Sequence, residues 1–348
     1  MRSRRKDEHI HIAGTSQDGP ATSGFEDVFL LHQALPELDF DSIDLRQGFL
    51  GKTLQYPLLI NAMTGGTGLA TDINRSLAAA ARDFGLAMAV GSQHIALAEP
   101  ARRPSFTVVR EVNPHGLIIA NVSASARPEE ALQAVDMIKA DGLQLHLNVP
   151  QELAMREGER HFAGVINNIR RIAALSPVPI IAKEVGFGLC KESVSLLYNA
   201  GITWFDNGGQ GGTNFIAIED SRQGCFAGEL DGWGLPTAVS LAEIVSLQLP
   251  IQVIASGGIR TAVDAAKAIC MGAQMAGMAG PLLKILIHQG PDALGNYLQE
   301  WIYRLKAVFL MTGSRNIEAL QHKPLLILGQ TAAWLKARNI DPHQWSRS

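Results

Sequence analysis

Polar and apolar side chains alternate in a short segment near the middle of the chain. Gln144, His146 and Asn148 alternate with three leucines, and Gln151 and Glu152 follow directly. Successive side chains of a β-strand lie on opposite faces, so one face is apolar and the other carries two amides and an imidazole. In a parallel α/β barrel that polar face would point into the mouth, where such groups commonly serve catalysis. The segment therefore predicts a catalytic or ligand-binding surface, although a surface antiparallel strand could share the pattern.

The residues after this strand suggest particular roles. Glu152 could cap a helix, or it could hold a hard cation, because Mg²⁺ is usually bound by one or two carboxylates plus substrate phosphates. Gln151 cannot exchange a proton near neutral pH, so it can only orient or polarise a substrate. His146 could be a satisfied core histidine, but its place between two inward amides favours contact with an anionic ligand.

A lysine ends another apolar run. Lys183 follows residues 179–182, which we expect to be buried. It could be a Schiff-base nucleophile or a cation beside an electron-rich cofactor. A flavin needs a positive group near N1, where the reduced ring is negative, whereas a Schiff-base aldolase would need acid and base partners that are not evident. Amide and hydroxyl groups suited to line a flavin ring end three other predicted strands: Asn61, Thr64, Ser92 and Asn121.

Glycines follow the last two predicted strands. Gly257 and Gly258 follow the seventh, and Ala279 and Gly280 the eighth. Barrels often bind a phosphate at these two loops, on backbone N–H groups and a helix N-terminus. Tight turns alone could explain either pair, but both in register favour a phosphate site. The glycine-rich residues 208–213 add more amides, without the Lys-Ser/Thr of a nucleotide-hydrolysing loop.

Strand and helix patterns alternate eight times along the chain. This alternation predicts a parallel sheet, and eight units favour a closed (β/α)8 TIM barrel over a doubly wound sheet. We expect a single domain, in which residues 1–50 and 313–348 extend a barrel at 51–312 and residues 213–234 form a lid. The predicted strands are 57–62, 86–91, 117–122, 143–148, 178–184, 202–207, 251–256 and 274–279. The predicted helices are 70–84, 102–112, 128–140, 161–175, 190–200, 235–247, 261–271 and 281–312, the last comprising more than one helix.

Composition excludes several classes of protein. The net charge of −3 gives no electrostatic argument for nucleic acid or a membrane surface, and no apolar run has the ~18 residues of a membrane span. Three cysteines without metal-ligand spacing fit a reduced, cytoplasmic location. Arg5, Lys6 and His9 could be a solvated terminus, or could neutralise a diphosphate if the segment folds over the mouth.

Several of these motifs occur together in one known family. The chain resembles the type 2 isopentenyl-diphosphate isomerases, the FMN-dependent class, over roughly residues 4 to 315. The resemblance rests on an ordered set of motifs: Arg5-Lys6-Asp7-Glu8-His9-Ile10, Asn61-Ala62-Met63-Thr64-Gly65-Gly66, His146-Leu147-Asn148, Gln151-Glu152, Lys183-Glu184-Val185-Gly186, Gly208-Gly209-Gln210-Gly211-Gly212-Thr213 and Ser256-Gly257-Gly258.

The resemblance implies an enzyme that interconverts isopentenyl and dimethylallyl diphosphate with reduced FMN and Mg²⁺, NADPH supplying electrons. It also implies a homo-oligomer, tetrameric or octameric. The catalytic residues would be Gln151, His146 and Lys183, with Glu152 binding the metal. The FMN contacts would be Ala62, Met63, Thr64, Ser92, Asn121, Lys183, Thr213, Gly257, Gly258, Ile259, Arg260, Ala279 and Gly280. The substrate contacts would be Arg5, Lys6, His9, Ser92, Gln93, His94, Asn148 and Gln151.

One residue departs from the family pattern. The family usually has arginine where this chain has His94, and histidine is shorter, only partly charged at neutral pH and lacks the guanidinium fork. Two alternatives stay open at this point: an FMN barrel oxidase of 2-hydroxy acids, which would need a histidine base and arginines for a carboxylate, and a catalytically silent flavin-binding protein.

Overall fold

Eight short parallel strands close into a barrel, and helices surround it. The computed structural model describes residues 12, 14, 21–223 and 225–346. In chain order its strands are β1 Val28–Leu30, β2 Gln47–Phe49, β3 Lys52–Leu54, β4 Leu58–Ile60, β5 Ala87–Ala89, β6 Ile118–Ser123, β7 Gly142–Leu147, β8 Ile180–Glu184, β9 Trp204–Asp206, β10 Gln252–Ser256, β11 Met275–Met278 and β12 Leu325–Ile327. Strands β4 to β11 are parallel neighbours in order, and β11 pairs with β4 to close the barrel. The predicted TIM barrel is confirmed.

Helices follow every barrel strand. In chain order they are α1 Gly68–Phe84, α2 His94–Ala98, α3 Pro104–Val112, α4 Pro128–Met137, α5 Val149–Ala154, α6 Val165–Leu175, α7 Lys191–Tyr198, α8 Phe215–Gln223, α9 Thr237–Val245, α10 Ala262–Cys270, α11 Gly280–Gln289, α12 Pro291–Met311, α13 Ile317–Gln321 and α14 Gly329–Ala337. The predicted segment 281–312 comprises two helices, because Gly290 ends α11 with a positive φ and Pro291 begins α12. Within residues 21–223 and 225–346 no helix is long and apolar enough to cross a bilayer.

Five of the described helices were not predicted from the pattern: α13 and α14 lie in the carboxy-terminal extension, and α2, α5 and α8 lie at the mouth. Helices α2 and α5 follow β5 and β7 and have only five and six residues, too short for a helical repeat to appear in sequence. Helix α8 lies within the predicted insertion 213–234.

The two terminal extensions pack on the barrel and on each other. Strand β1 pairs antiparallel with β12. Helix α14 lies on α9, where the Arg338 guanidinium donates to the buried carboxylate of Glu243 at 2.8 Å. The hairpin of β2 and β3 closes the amino end of the barrel, where Phe49 packs edge-on against Trp204 with ring centroids 5.0 Å apart.

The interior of the barrel has an apolar layer and a polar layer. Leu59, Ile119, Ile181, Ile254 and Met275 form the apolar layer above the hairpin. Two residues further along, four of these five strands carry inward polar side chains, and the fifth has Gly277. The polar layer consists of Asn61, Asn121, Lys183 and Ser256, together with Gln144 of β7 and Asp206 of β9.

Strand β7 has the two faces that its sequence predicted. Leu143 and Leu145 belong to the apolar cluster between strands and helices. Gln144, on the opposite face, is fully buried and bonds across the barrel to Asn61. The alternation of polar and apolar residues therefore predicted the two faces of this strand correctly.

A buried carboxyl at the end of β8 organises the loop that follows. Glu184 accepts hydrogen bonds at Oε2 from the backbone N–H groups of Phe187 (2.5 Å) and Gly188 (2.9 Å). Burial raises the pKa of Glu184 from 4.5 to about 8, against the opposing effect of those N–H groups. Between these two pH values the folded protein holds a proton that the unfolded chain has released.

We predict that stability falls with pH because of this group. The stability that protonated Glu184 contributes is complete below pH 4.5 and is lost as pH rises through about 8. The free energy of unfolding should fall by at most about 1.4 kcal/mol per pH unit for one proton. Glu184→Gln keeps an acceptor for both N–H groups and cannot titrate, so denaturant unfolding across this range should show a flatter profile for the variant.

Glu192→Gln is the matched control. Hydrogen bonding to Arg338 lowers the pKa of the exposed Glu192 to about 2, so its contribution is lost only in acid and the slope above pH 5 should not change. Parallel profiles for wild type and Glu184→Gln would show that Glu184 is already ionised in the folded protein.

Candidate active site

A single carboxylate lies at the centre of the polar layer. Asp206 is fully buried, and its Oδ2 accepts hydrogen bonds from Asn61 Nδ2 at 2.7 Å and Lys183 Nζ at 2.9 Å. Gln144 Nε2 contacts the same oxygen at 3.3 Å, and the Ser256 hydroxyl donates to Oδ1. Sequence reasoning missed Asp206; the signal that could have found it is its register, directly beside Lys183 on the neighbouring strand.

This carboxylate sets the direction of a chain of hydrogen bonds toward the mouth. Because an ionised carboxylate only accepts, Gln144 turns its NH₂ to Asp206 and its oxygen to Asn121 Nδ2 at 3.0 Å. The Asn121 oxygen then faces His146 Nδ1 at 2.8 Å. His146 must therefore donate from Nδ1, and in the neutral ring Nε2 is the acceptor. The order of the amides thus assigns the histidine tautomer.

The turn after β7 brings three predicted residues together. Asn148 Nδ2 contacts Gln151 Oε1 at 3.3 Å and Glu152 Oε1 at 3.0 Å. Gln151 Nε2 in turn lies 3.3 Å from Oε1 of Glu219, a fully buried carboxylate on α8 that also pairs with Arg222 at 2.5 Å. The predicted lid insertion therefore contacts Gln151 directly. Glu219 is a second residue that sequence reasoning missed, because its position depends on how the insertion packs.

A loop wraps the Glu152 carboxylate. Its Oε2 accepts from the backbone N–H of Glu159 at 2.9 Å. Arg160 holds that loop by donating to the carbonyl oxygens of Glu152 and Met155, both at 2.5 Å. A side chain at Gly158 would begin 2.0 Å from the Glu152 carbonyl oxygen, so only glycine allows the loop to close here. The carboxylate is held rigidly although it lies near the surface.

The glycine loops meet so closely that only glycine fits. A Cβ on Gly257 would lie 2.0 Å from the carbonyl oxygen of Gly209, and one on Gly258 would lie 2.6 Å from that of Gly211. Both residues have positive φ, 98° and 75°, which non-glycine residues rarely adopt. Helix α11 begins at Gly280, beside the Thr213 hydroxyl. We name the backbone of 209–213, 257–259 and 279–280 the glycine cradle.

Two other predicted cofactor residues have mainly structural contacts. Arg260 bridges two loops of the cradle, donating to the carbonyl oxygens of Gly211 at 2.5 Å and Gly258 at 3.2 Å. The Ile259 side chain is buried in the core, so only its backbone can face a ligand. Ala62 and Met63 are half-buried and follow β4, the strand next to β11. Thr64 comes directly after them and is fixed by a hydrogen bond from the Gly91 N–H to its carbonyl oxygen at 3.1 Å.

The predicted substrate residues are only partly brought together. Gln93 is fully buried; its amide donates to the Ala134 carbonyl oxygen and its Oε1 accepts from Asn121 N–H, both at 2.9 Å. Its side chain therefore supports the mouth from outside, and the prediction that it binds substrate through that side chain has no support in this position. Ser92 and His94 are half-buried at the start of α2, whereas the predicted ligands Arg5, Lys6 and His9 lie outside the described residues.

His94 also lies close to a carboxylate. The pKa of Glu130 is lowered, mainly by the hydrogen bond from the Arg127 side chain and to a smaller extent by the charge of His94. The imidazole is therefore near α4 as well as near the mouth.

Solved structures share the fold at low sequence identity. A Pediococcus acidilactici putative lactate oxidase superposes with a TM-score of 0.71 at 15% identity, covering 94% of this chain and 93% of that one. A mandelate oxidase variant with an FMN adduct gives a TM-score of 0.67 at 17% identity over 92% of each chain. Identities this low support the barrel architecture and leave the chemistry to the site.

Sequence comparisons identify the family. Residues 114–326 match the family model of FMN-dependent dehydrogenases. An isopentenyl-diphosphate delta-isomerase of Moorella thermoacetica is 51% identical over 97% of both chains, and one of Geobacillus sp. is 46% identical over 99% of both. One of Staphylococcus aureus is 40% identical, again over 99% of both chains. The chain therefore belongs to the isopentenyl-diphosphate delta-isomerases, within the wider family of FMN-dependent dehydrogenases.

Proposed function

We propose that this enzyme holds FMN and Mg²⁺ and interconverts isopentenyl and dimethylallyl diphosphate. The observation that carries the proposal is the arrangement of the mouth, where Lys183 and His146 lie on neighbouring strands in register. The glycine cradle follows β9, β10 and β11. Gln151 lies beside the insertion, where it contacts Glu219. Such a site has a place for a cofactor phosphate, a cation for a flavin ring and a neutral residue for an apolar double bond.

The residues present fit FMN. The cradle offers closely approaching backbone and the N-terminus of α11, the elements that bind a phosphate monoester in barrels. Ala62, Met63 and Thr64 would lie along the ring on one side, with Ser92 and Asn121 as polar contacts. Lys183, whose side chain is only 10% exposed, would be the positive group that a reduced flavin requires near N1. NADPH would be the electron source, without an assigned site in the chain.

The residues also fit a single magnesium ion that shares its shell with substrate. Within residues 21–223 and 225–346, no group of three or more His, Cys, Asp or Glu side chains is arranged to hold a metal ion. Glu152 would supply one carboxylate, which keeps lone pairs beyond the two hydrogen bonds that it accepts. Mg²⁺ with one protein carboxylate and substrate phosphates is a common arrangement.

The side chains of the mouth bind and orient rather than transfer protons. Moving a double bond requires a proton to be added at one carbon and removed from another, and reduced FMN would supply the groups for this at N5 and N1. Gln151, held between Asn148 and Glu219, would fix the hydrocarbon end of the substrate. Asn148, Ser92 and His94 would contact the diphosphate, with Arg5, Lys6 and His9 as further predicted contacts. To contact a phosphate oxygen, His146 would have to donate from Nε2, which requires the imidazolium form, because an anion offers only acceptors.

We predict that the purified protein contains FMN, not FAD, and isomerises isopentenyl diphosphate under reducing, anaerobic conditions. The cradle would accommodate one phosphate, and the sequence lacks the dinucleotide fingerprint that an adenylate half would require. Mass spectrometry of the released cofactor and product analysis test this. Stoichiometric FAD, or oxygen-consuming turnover of 2-hydroxy acids in place of isomerisation, would contradict the proposal.

Glu152→Gln should abolish Mg²⁺-dependent turnover while FMN remains bound. The change removes the charge and nearly keeps the shape, and the single amide oxygen can still accept from either Asn148 or the Glu159 N–H. Glu159→Gln is the matched control, since it removes an exposed carboxylate from the same loop and keeps the backbone bond to Glu152. The test is to measure the turnover of both variants against Mg²⁺ concentration. If the two variants behave alike, Glu152 only stabilises the turn after β7 and does not bind the metal.

His94→Arg should lower the KM for isopentenyl diphosphate. Arginine stays charged and forks onto phosphate oxygens, and one charge-assisted hydrogen bond contributes about 1.5–3 kcal/mol, so roughly tenfold is expected. The control is His115→Arg, the same change at an exposed position before β6. If neither variant alters KM, His94 serves α4 and does not face the diphosphate.

A further inference from the structure

Asp206 has no part in the function proposed above, yet it is the central anion of the barrel. Four side chains from four different strands donate to it: Asn61, Gln144, Lys183 and Ser256. Of these four donors Lys183 alone is a cation. A buried carboxylate is costly unless it is paired and fully hydrogen-bonded, and this one is both, so its charge is stabilised by the site.

The neutral donors hold the carboxylate in place. Asn61 and Ser256 come from the two strand ends that flank Gly277 of β11, where a Cβ would come within 2.9 Å of each side chain. The missing side chain at Gly277 thus leaves the space in which these donors meet Asp206. Because the carboxylate cannot shift, the Lys183 ammonium bonded to it is fixed as well.

The same lysine faces two partners of negative character. The reduced flavin carries negative charge near N1, and an unpaired ammonium would stabilise that form strongly. A carboxylate 2.9 Å from Nζ offsets part of this attraction. The Asp206 carboxylate would therefore determine how strongly the Lys183 ammonium stabilises the reduced cofactor.

We propose that Asp206 is a positioning residue that fixes the Lys183 ammonium at the flavin site and balances part of its charge. The inference rests on the proposed FMN site. Asp206 acts through Lys183, so its effect on the cofactor depends on that lysine being present. Without the cation, the carboxylate has no charged partner whose position and charge it could set.

Asp206→Asn is the direct test. Asn can keep Oδ1 toward Asn61 and Lys183, and it can turn its NH₂ toward Ser256, whose hydroxyl also accepts, so the network can survive. The FMN reduction potential, measured against a reference dye, should rise because the cation is no longer balanced. Lys183→Gln should lower it, since the cation is lost.

The double variant Lys183→Gln/Asp206→Asn separates the coupling from two independent effects. Its potential should equal that of Lys183→Gln, because Asp206 acts only through the lysine. Ser256→Ala removes a hydrogen bond from the same carboxylate but no charge, so it should leave the potential unchanged while lowering the melting temperature of the FMN-free protein. A purely structural role for Asp206 would instead move only the melting temperature.

Specific outcomes overturn the inference. They are an unchanged or lowered potential in Asp206→Asn, or the same upward shift with and without Lys183. If Asp206→Asn does not fold, the double variant decides, because it leaves no charge unpaired: it must fold and match Lys183→Gln, and failure on either count refutes the proposal. Wild-type protein without FMN would refute the proposed function itself, a result distinguishable from all of these.

Discussion

The ion pair between Lys183 and Asp206 is the contact on which the polar half of the barrel depends. A charge in a dry interior must be met by opposite charge or by dipoles, and here the requirement aligns the Lys183 ammonium and two amides, Asn61 and Gln144, around one carboxylate. Because the carboxylate only accepts, each amide in turn has one permitted orientation, out to His146 at the mouth. The rigidity of the site thus follows from a burial cost at its base.

The barrel separates stability from chemistry along its axis. Below the polar layer, aliphatic side chains and the hairpin with Phe49 fill the interior. Above it, short turns carry groups that bind and orient, and helix α8 of the insertion reaches Gln151. The same scaffold accommodates oxidases of 2-hydroxy acids at 15–17% identity, which agrees with a core that tolerates different mouths.

Local pattern was sufficient for the architecture and for the residues that end its strands. Alternation along β7 predicted its inward amides, and the glycines after β10 predicted a cradle. Contacts that depend on three-dimensional register were not predictable: β9 has three residues, too few to show a period, so Asp206 resembled a turn residue. The direction of Gln93 was not predictable either, since it lies between Ser92 and His94 in sequence but its side chain turns toward α4. Neighbours at a strand end can face opposite sides, which spacing alone does not reveal.

The pairing of β1 with β12 has a consequence for how the molecule is made. These strands come from nearly opposite ends of the chain, so β1 has no partner until synthesis is almost complete, and closing so long a loop is slow. The segment before β1 also packs on the cradle, with Ser23 against Gly211 and Gly258. The nascent barrel can therefore assemble its strands in order before β1 finds its partner β12. The antiparallel pair that joins the two extensions is thus expected to form after the barrel strands.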